Sequence, residues 1–265
     1  MPTDERVLKV LDDATWAAFG AFSERSGGRT ERGDGMLYVI GPHPSPVIVN
    51  TAFRTENLVP PATALEQTID RYRSIGHGFG LMTRAHADAD LDEAADAAGW
   101  RPLLQLPGMV VQRPLPPPIP RPGAALRRMS RERDLASAIR VLRDGFGDDD
   151  DEREMIEVVF RAPEQFDAPG VAAFIGSQDG VDGSFAIVVR MGEAAVVGWV
   201  ATVPELRRRG LGDLVTRAAT NAGFELGARI VVLKASPMGL PVYERMGFET
   251  ITRFRVLFPP LATRT

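Results

Sequence analysis

Three consecutive arginines, Arg207, Arg208 and Arg209, stand directly before Gly210-Leu211-Gly212. The apolar run Val196-Val197-Gly198-Trp199-Val200-Ala201-Thr202-Val203 precedes them, and a helical pattern follows. A helix start leaves backbone N–H groups without intrahelical acceptors, and the helix dipole adds partial positive charge there. Two glycines let a ligand come close to the backbone, and the guanidinium groups add charge. This combination of residues suits a phosphorylated ligand.

Rival phosphate motifs fail on spacing. In Gly210-Leu211-Gly212-Asp213-Leu214-Val215, valine stands where a dinucleotide fingerprint needs its third glycine or alanine. No Gly-x-x-x-x-Gly-Lys-Ser/Thr occurs, which rules out a P-loop. The three histidines, His43, His77 and His86, have no metal-ligand spacing and read as surface or turn residues. With no cysteine, disulfides, cysteine nucleophiles and thiolate metal sites are excluded.

The elements that must position this turn follow from periodicity. The break at residues 114–122, with six prolines in nine positions, excludes a helix or a central strand and reads as a linker. We divide the chain into a first half, 1–113, a proline-rich linker, 114–123, and a second half, 124–265. In the first half, helices are expected at 7–22, 62–75 and 88–98, and strands at 36–40, 47–53, 79–83 and 109–112. In the second, helices are expected at 132–146, 153–161, 211–226 and 241–246. Its strands are expected at 171–177, 185–190, 196–203, 230–233 and 251–258. Both halves end a helix with glycine and an aromatic residue: Ala98-Gly99-Trp100 and Met246-Gly247-Phe248. Strands followed by helices, twice over, point to an α/β chain with a mixed sheet and an old duplication, with coincidence as the competing reading.

At this point the motifs resemble a family. Arg207-Arg208-Arg209-Gly210-Leu211-Gly212 matches the acyl-CoA hexad Arg/Gln-x-x-Gly-x-Gly/Ala of the GCN5-related N-acetyltransferases. Val242-Tyr243-Glu244-Arg245-Met246-Gly247-Phe248 matches their small-helix tyrosine and Gly-Phe ending. The resemblance covers residues 124–258 and implies the acyl-CoA N-acyltransferase fold there, with a degenerate copy in the first half. It implies acetyl-CoA as cosubstrate, held by Arg207, Arg208, Arg209, Gly210, Leu211, Gly212 and Ser236, and by the backbone of Val200 and Thr202. Ser236 departs from the asparagine that many relatives carry. Tyr243 would be the general acid for the leaving thiolate. The base is not assigned, because residues 194–203 contain no acid and no histidine.

Some residues carry two readings. Tyr243 could instead be a packing aromatic, Trp199 is expected in the core, and Ser236 could simply enter a helix. The acidic run Asp148-Asp149-Asp150-Asp151-Glu152 reads first as a solvated loop favouring the next helix start, and second as a lure for a cationic amine.

The bulk properties agree with an enzyme of this type. A formal net charge of −4 argues against nucleic acid as partner, and no apolar run is long enough for a membrane span. A charged N-terminal segment without an apolar stretch leads us to expect a cytoplasmic protein. The expected partner is an amine-bearing acceptor, small molecule or protein, and a homodimer is open. The alternative function is a CoA-binding sensor whose chemistry has lapsed.

Overall fold

The computed structural model describes residues 4–46, 49–147 and 149–260. The first part of the chain forms α1 (Glu5–Arg25), β1 (Arg29–Gly33), β2 (Met36–Ile40), β3 (Asn50–Arg54), α2 (Pro61–Ile75), β4 (Gly80–Arg84), α3 (Ala89–Ala97) and β5 (Arg101–Val111). After the proline segment come β6 (Ala124–Arg128), α4 (Arg131–Phe146), α5 (Asp150–Phe160), a one-turn α6 (Glu164–Asp167), β7 (Val171–Gln178), β8 (Val181–Met191) and β9 (Ala194–Thr202). A 3-10 turn at Pro204–Leu206 leads to α7 (Leu211–Glu225), β10 (Ile230–Lys234), α8 (Leu240–Met246) and β11 (Glu249–Phe258).

Most expected elements occur within a few residues of their expected bounds. The strand expected at 47–53 is β3, and residues 47 and 48 lie outside the described ones. Three strands differ. β1 and β6 were not expected, because Arg29-Thr30-Glu31-Arg32-Gly33 and Ala124-Ala125-Leu126-Arg127-Arg128 are edge strands with little apolar alternation. β5 is far longer than residues 109–112. Its first part contains Pro102 and Pro107, which are tolerated because β10 pairs only with residues 108–111.

All strands join one sheet of order β1-β2-β3-β4-β11-β5-β10-β9-β8-β7-β6. The order is nearly mirrored about its centre. β3 runs parallel to β4 as β9 runs parallel to β10, each flanked by antiparallel neighbours. The final strands are exchanged: β11 lies between β4 and β5, and β5 lies between β11 and β10. The two glycine–aromatic endings also match in geometry. Gly99 and Gly247 have φ of 78° and 100°, and the next amides, of Trp100 and Phe248, donate back to Ala95 and Tyr243 carbonyls.

Alternating strand residues feed two helical layers. On one face, α1, α4 and α5 cover Val232, Phe254, Ile175 and Phe185. On the other, α7 and α8 cover Val188, Val197 and Leu233, while α2 and α3 cover Tyr38 and Leu81. The proline segment is packed down. Leu115 is buried, its amide donates to Asn221 Oδ1 at 2.8 Å, and its carbonyl accepts from Asn221 Nδ2 at 3.0 Å.

Candidate active site

The site begins where two parallel strands part. β9 and β10 pair only through Ala194, Ala195 and Val196 opposite Ile230, Val231 and Val232. β9 then continues to Thr202 with no partner on the β10 side among the described residues. The backbone of residues 197–202, including Val200 and Thr202, therefore lines one wall of an open cleft. A β-bulge lies in the unpaired stretch: the β8–β9 register shifts between Phe185↔Ala201 and Ile187↔Gly198. Trp199 occupies the bulge at φ 52°, a conformation rarely adopted by a bulky residue. Its ring is held by Phe22, Phe160 and Phe146 at centroid distances of 4.9, 4.7 and 5.8 Å. Trp199 thus packs with the core, as expected, but it also sets the backbone of the cleft.

At the C-terminal end of β9 the chain turns into α7. Gly210 is the N-cap, with φ 88°, and no side chain caps the helix. Leu214 donates the first intrahelical bond, to the Gly210 carbonyl, so the amides of Leu211, Gly212 and Asp213 have no intrahelical acceptor. Leu211 anchors the turn by its buried side chain, whereas a Cβ on Gly212 would meet only Thr202 Oγ1 at 3.4 Å.

The three arginines separate into different environments. Arg207 turns inward: its Nε donates to the Thr202 carbonyl at 3.0 Å and its Nη2 to the Gly145 carbonyl at 3.3 Å. It latches the end of β9 to the last turn of α4, so its guanidinium is not free. Arg208, at φ 63°, and Arg209 are exposed. Sequence reasoning missed a further guanidinium. Arg121, from the proline segment, lies over Gly210, its Nε and Cζ 3.0 and 3.3 Å from where a Cβ would stand.

Tyr243 projects from α8 into the α7-side core. It is 7 % exposed, and burial pushes its phenol up to about 12. Nothing among the described residues hydrogen-bonds its hydroxyl, and the raised value keeps the phenol protonated at neutral pH. The ring packs on Gly239, where a Cβ would come within 2.7 Å of it. Ser236 is exposed, and its Oγ accepts from the Gly239 amide at 3.1 Å, which is the helix-entry role. Of the acidic run, Asp149 caps α5 by accepting from the Glu152 amide at 2.9 Å, and Asp148 lies outside the described residues. The helix-start reading fits that geometry.

The histidines lie outside helices and strands, with His86 in an exposed turn and His43 in a bend, and only the burial of His43 departs from the surface-or-turn expectation. His43 is buried and its Nδ1 accepts from the Ser45 amide. His86 bridges Thr252 Oγ1 at 2.7 Å and Asp12 Oδ2 at 3.1 Å. The His43 bond is local, whereas the His86 contacts are tertiary and invisible to spacing. No cluster among the described residues could hold a metal ion.

The mirrored junction in the first half is closed. β3 pairs with β4 through Phe53 and ends one residue later. Pro60 is the N-cap of α2, with neither glycine nor free guanidinium beside it. The local arginine, Arg54, is fully buried and bound to Asp88, Asp90 and the Val59 carbonyl. Among the described residues, only the second half carries an open cleft and a basic glycine turn.

No family model and no curated protein matches the sequence. Solved structures do match in shape. A GCN5-related N-acetyltransferase from Kribbella flavida is 21% identical, with a TM-score of 0.72 over 94% of this chain and 95% of that one. One from Sphaerobacter thermophilus is 14% identical, with a TM-score of 0.62 over 95% and 94%. A tandem GNAT protein from the clavulanic acid biosynthesis pathway is 14% identical, with a TM-score of 0.58 over 85% and 80%. The chain has the fold of the GCN5-related N-acetyltransferases, and the likeness extends over nearly its whole length rather than the second half alone. No helix among the described residues is long and apolar enough to cross a membrane.

Proposed function

We propose that this protein is an acetyl-CoA-dependent N-acetyltransferase that moves an acetyl group to an amine acceptor in a ternary complex. The observation that carries this reading is the β9–β10 cleft, which opens directly onto the uncapped start of α7. The amides of residues 211–213 would hold the diphosphate, with Arg121, Arg208 and Arg209 supplying charge around it. Val200 would pair with the pantetheine arm through its backbone, and Thr202 through its amide, its carbonyl being held by Arg207. Acetyl-CoA supplies the acyl group as an activated thioester.

The cleft amides would polarise the carbonyl, and Tyr243 would give its proton to the departing sulfur. With no cysteine in the chain, an acyl-cysteine intermediate cannot form. Arg207 serves by fixing the shape of the turn. A cytoplasmic setting accords with the lack of cysteine and with a CoA-dependent reaction.

The test is calorimetric titration with acetyl-CoA, followed by thiol release in the presence of a panel of amines. Gly210→Glu places a carboxylate in the turn, on a backbone that strains any side chain, and should abolish binding without unfolding the protein. Unchanged affinity in that variant would overturn the reading. Tight binding with no acceptor-dependent thiol release would favour the sensor over the enzyme.

A further inference from the structure

The chain contains two lysines, and their surroundings are opposite. Lys9 is exposed on α1 and its ammonium donates to Asp13 at 2.7 Å, which holds its pKa above the usual value. Lys234 ends β10, two residues past the last β9–β10 pair, so it flanks the cleft at its opening. Strand alternation sends its side chain to the α1 face, opposite the layer that holds α7 and Tyr243. Its ammonium sits 4.6 Å from the ring centre of Phe19 and 5.8 Å from that of Phe254.

Among the described residues no carboxylate pairs with it. α1 presents Phe19, β11 presents Phe254, and its β5 neighbour is Gly108. Burial alone acts on the group and pushes it down to about 8. An ordinary lysine has roughly one neutral amine in a thousand at pH 7, and a group near pKa 8 has about one in ten.

We propose that Lys234 is a self-acetylation site, its Nζ accepting the acetyl group of an acetyl-CoA held in the β9–β10 cleft. The proposal rests on the acyl-CoA reading given above. In the step, the neutral Nζ lone pair attacks the thioester carbonyl carbon, a C–N bond forms and the C–S bond breaks. The C–S electron pair leaves on the CoA sulfur, and the proton lost by Nζ is matched by the one the thiolate takes up. The products are Nε-acetyl-lysine and CoA thiol. An amide does not return its acyl group under these conditions, so the product is a lasting modification rather than a turnover intermediate. It places a neutral acetamide against Phe19 and Phe254, on the α1 face beside the end of the β9–β10 pairing.

The test incubates the full chain with acetyl-CoA, after calorimetry has established binding, and maps acetylation at Lys9 and Lys234 by peptide mass over time. Lys234 should be modified faster than Lys9 by at least about tenfold, given the difference in neutral fraction. Its rate should saturate with acetyl-CoA and rise between pH 7 and 8.5, the range about its pKa of about 8. Lys234→Arg should leave the chain without that added acetyl group, and Gly210→Glu should reduce modification to the Lys9 rate. Modification of Lys234 no faster than Lys9, or equally fast in Gly210→Glu, overturns the proposal while leaving the cofactor reading intact. Failure of the wild-type protein to bind acetyl-CoA overturns both.

Discussion

At the scale of single residues, the contrast among the arginines sets the first expectation. Arg207→Ala removes two hydrogen bonds to half-buried carbonyls and should lower stability by about 1–2 kcal/mol in denaturant unfolding, with acetyl-CoA binding weakened as the turn relaxes. Arg208→Ala touches nothing in the fold and should weaken binding with stability unchanged. Equal stability loss in both would refute the division of roles. Tyr243→Phe deletes a hydroxyl with no hydrogen-bond partner, so the fold should tolerate it. If Tyr243 is the acid, kcat should fall at least tenfold with acetyl-CoA affinity preserved. Lys234 gives a pH-dependent expectation. Its folded pKa lies below its unfolded one, so between about 8 and 10.5 the unfolded chain binds more protons and wild-type stability rises with pH. Lys234→Met should therefore be stabilising by on the order of 1–3 kcal/mol below pH 8, an advantage that fades toward pH 10.5. A variant whose advantage is the same at pH 7 and 10.5 would contradict the buried-amine assignment. The arginine–glycine hexad was legible because its chemistry is local. Which arginine turns inward was not, because the Gly145 carbonyl that captures Arg207 lies on α4, remote in sequence. Arg121 escaped notice for the same reason: a polyproline segment gives no local sign of what it lies against.

At the scale of elements, the decisive object is the bulge at Trp199. The residue adopts a positive φ that a β-strand does not favour, and three phenylalanine rings hold it there. Phe22 comes from α1, so the first half helps to fix the cleft in the second. Trp199→Ala should cost about 3 kcal/mol, the usual range for deleting a large core aromatic. It should also weaken acetyl-CoA binding, since the bulge shapes the backbone of the unpaired stretch of β9. Loss of stability with unchanged affinity would show that the cleft is held open by other means. The central-strand reading of residues 196–203 was sound because the run is continuous and apolar, but a bulge leaves no mark in periodicity. The edge strands β1 and β6 were missed because one solvated side and a charged composition erase the two-residue alternation. β5 was shortened because Pro102 and Pro107 usually forbid a central strand. Here they fall in the stretch that β10 does not reach, where a missing N–H leaves no ladder bond unmade.

At the scale of the whole molecule, the exchange of β5 and β11 determines what the two halves can do alone. The proline segment lies between two runs of elements with nearly mirrored strand order, and each run completes the other's part of one sheet. β5 from the first half shields β10 and pairs with β11 along nearly its whole length. α1 from the first half covers the face that holds Phe160 and Trp199. A chain starting at residue 124 would present β10 and β11 as unpaired apolar edges, and such edges recruit other strands. It would also uncover Phe160 and Phe254, which are fully buried in the intact protein. The expected outcome is that residues 124–265 alone give no cooperative thermal transition and elute as aggregates or strand-exchanged oligomers. Supplying residues 1–113 as a separate chain should restore a one-to-one complex and acetyl-CoA binding, because the missing strand and helix are then provided in trans. If the isolated second half is instead a monomer that unfolds cooperatively near the temperature of the full chain, the shared sheet is dispensable and the first half serves some other end.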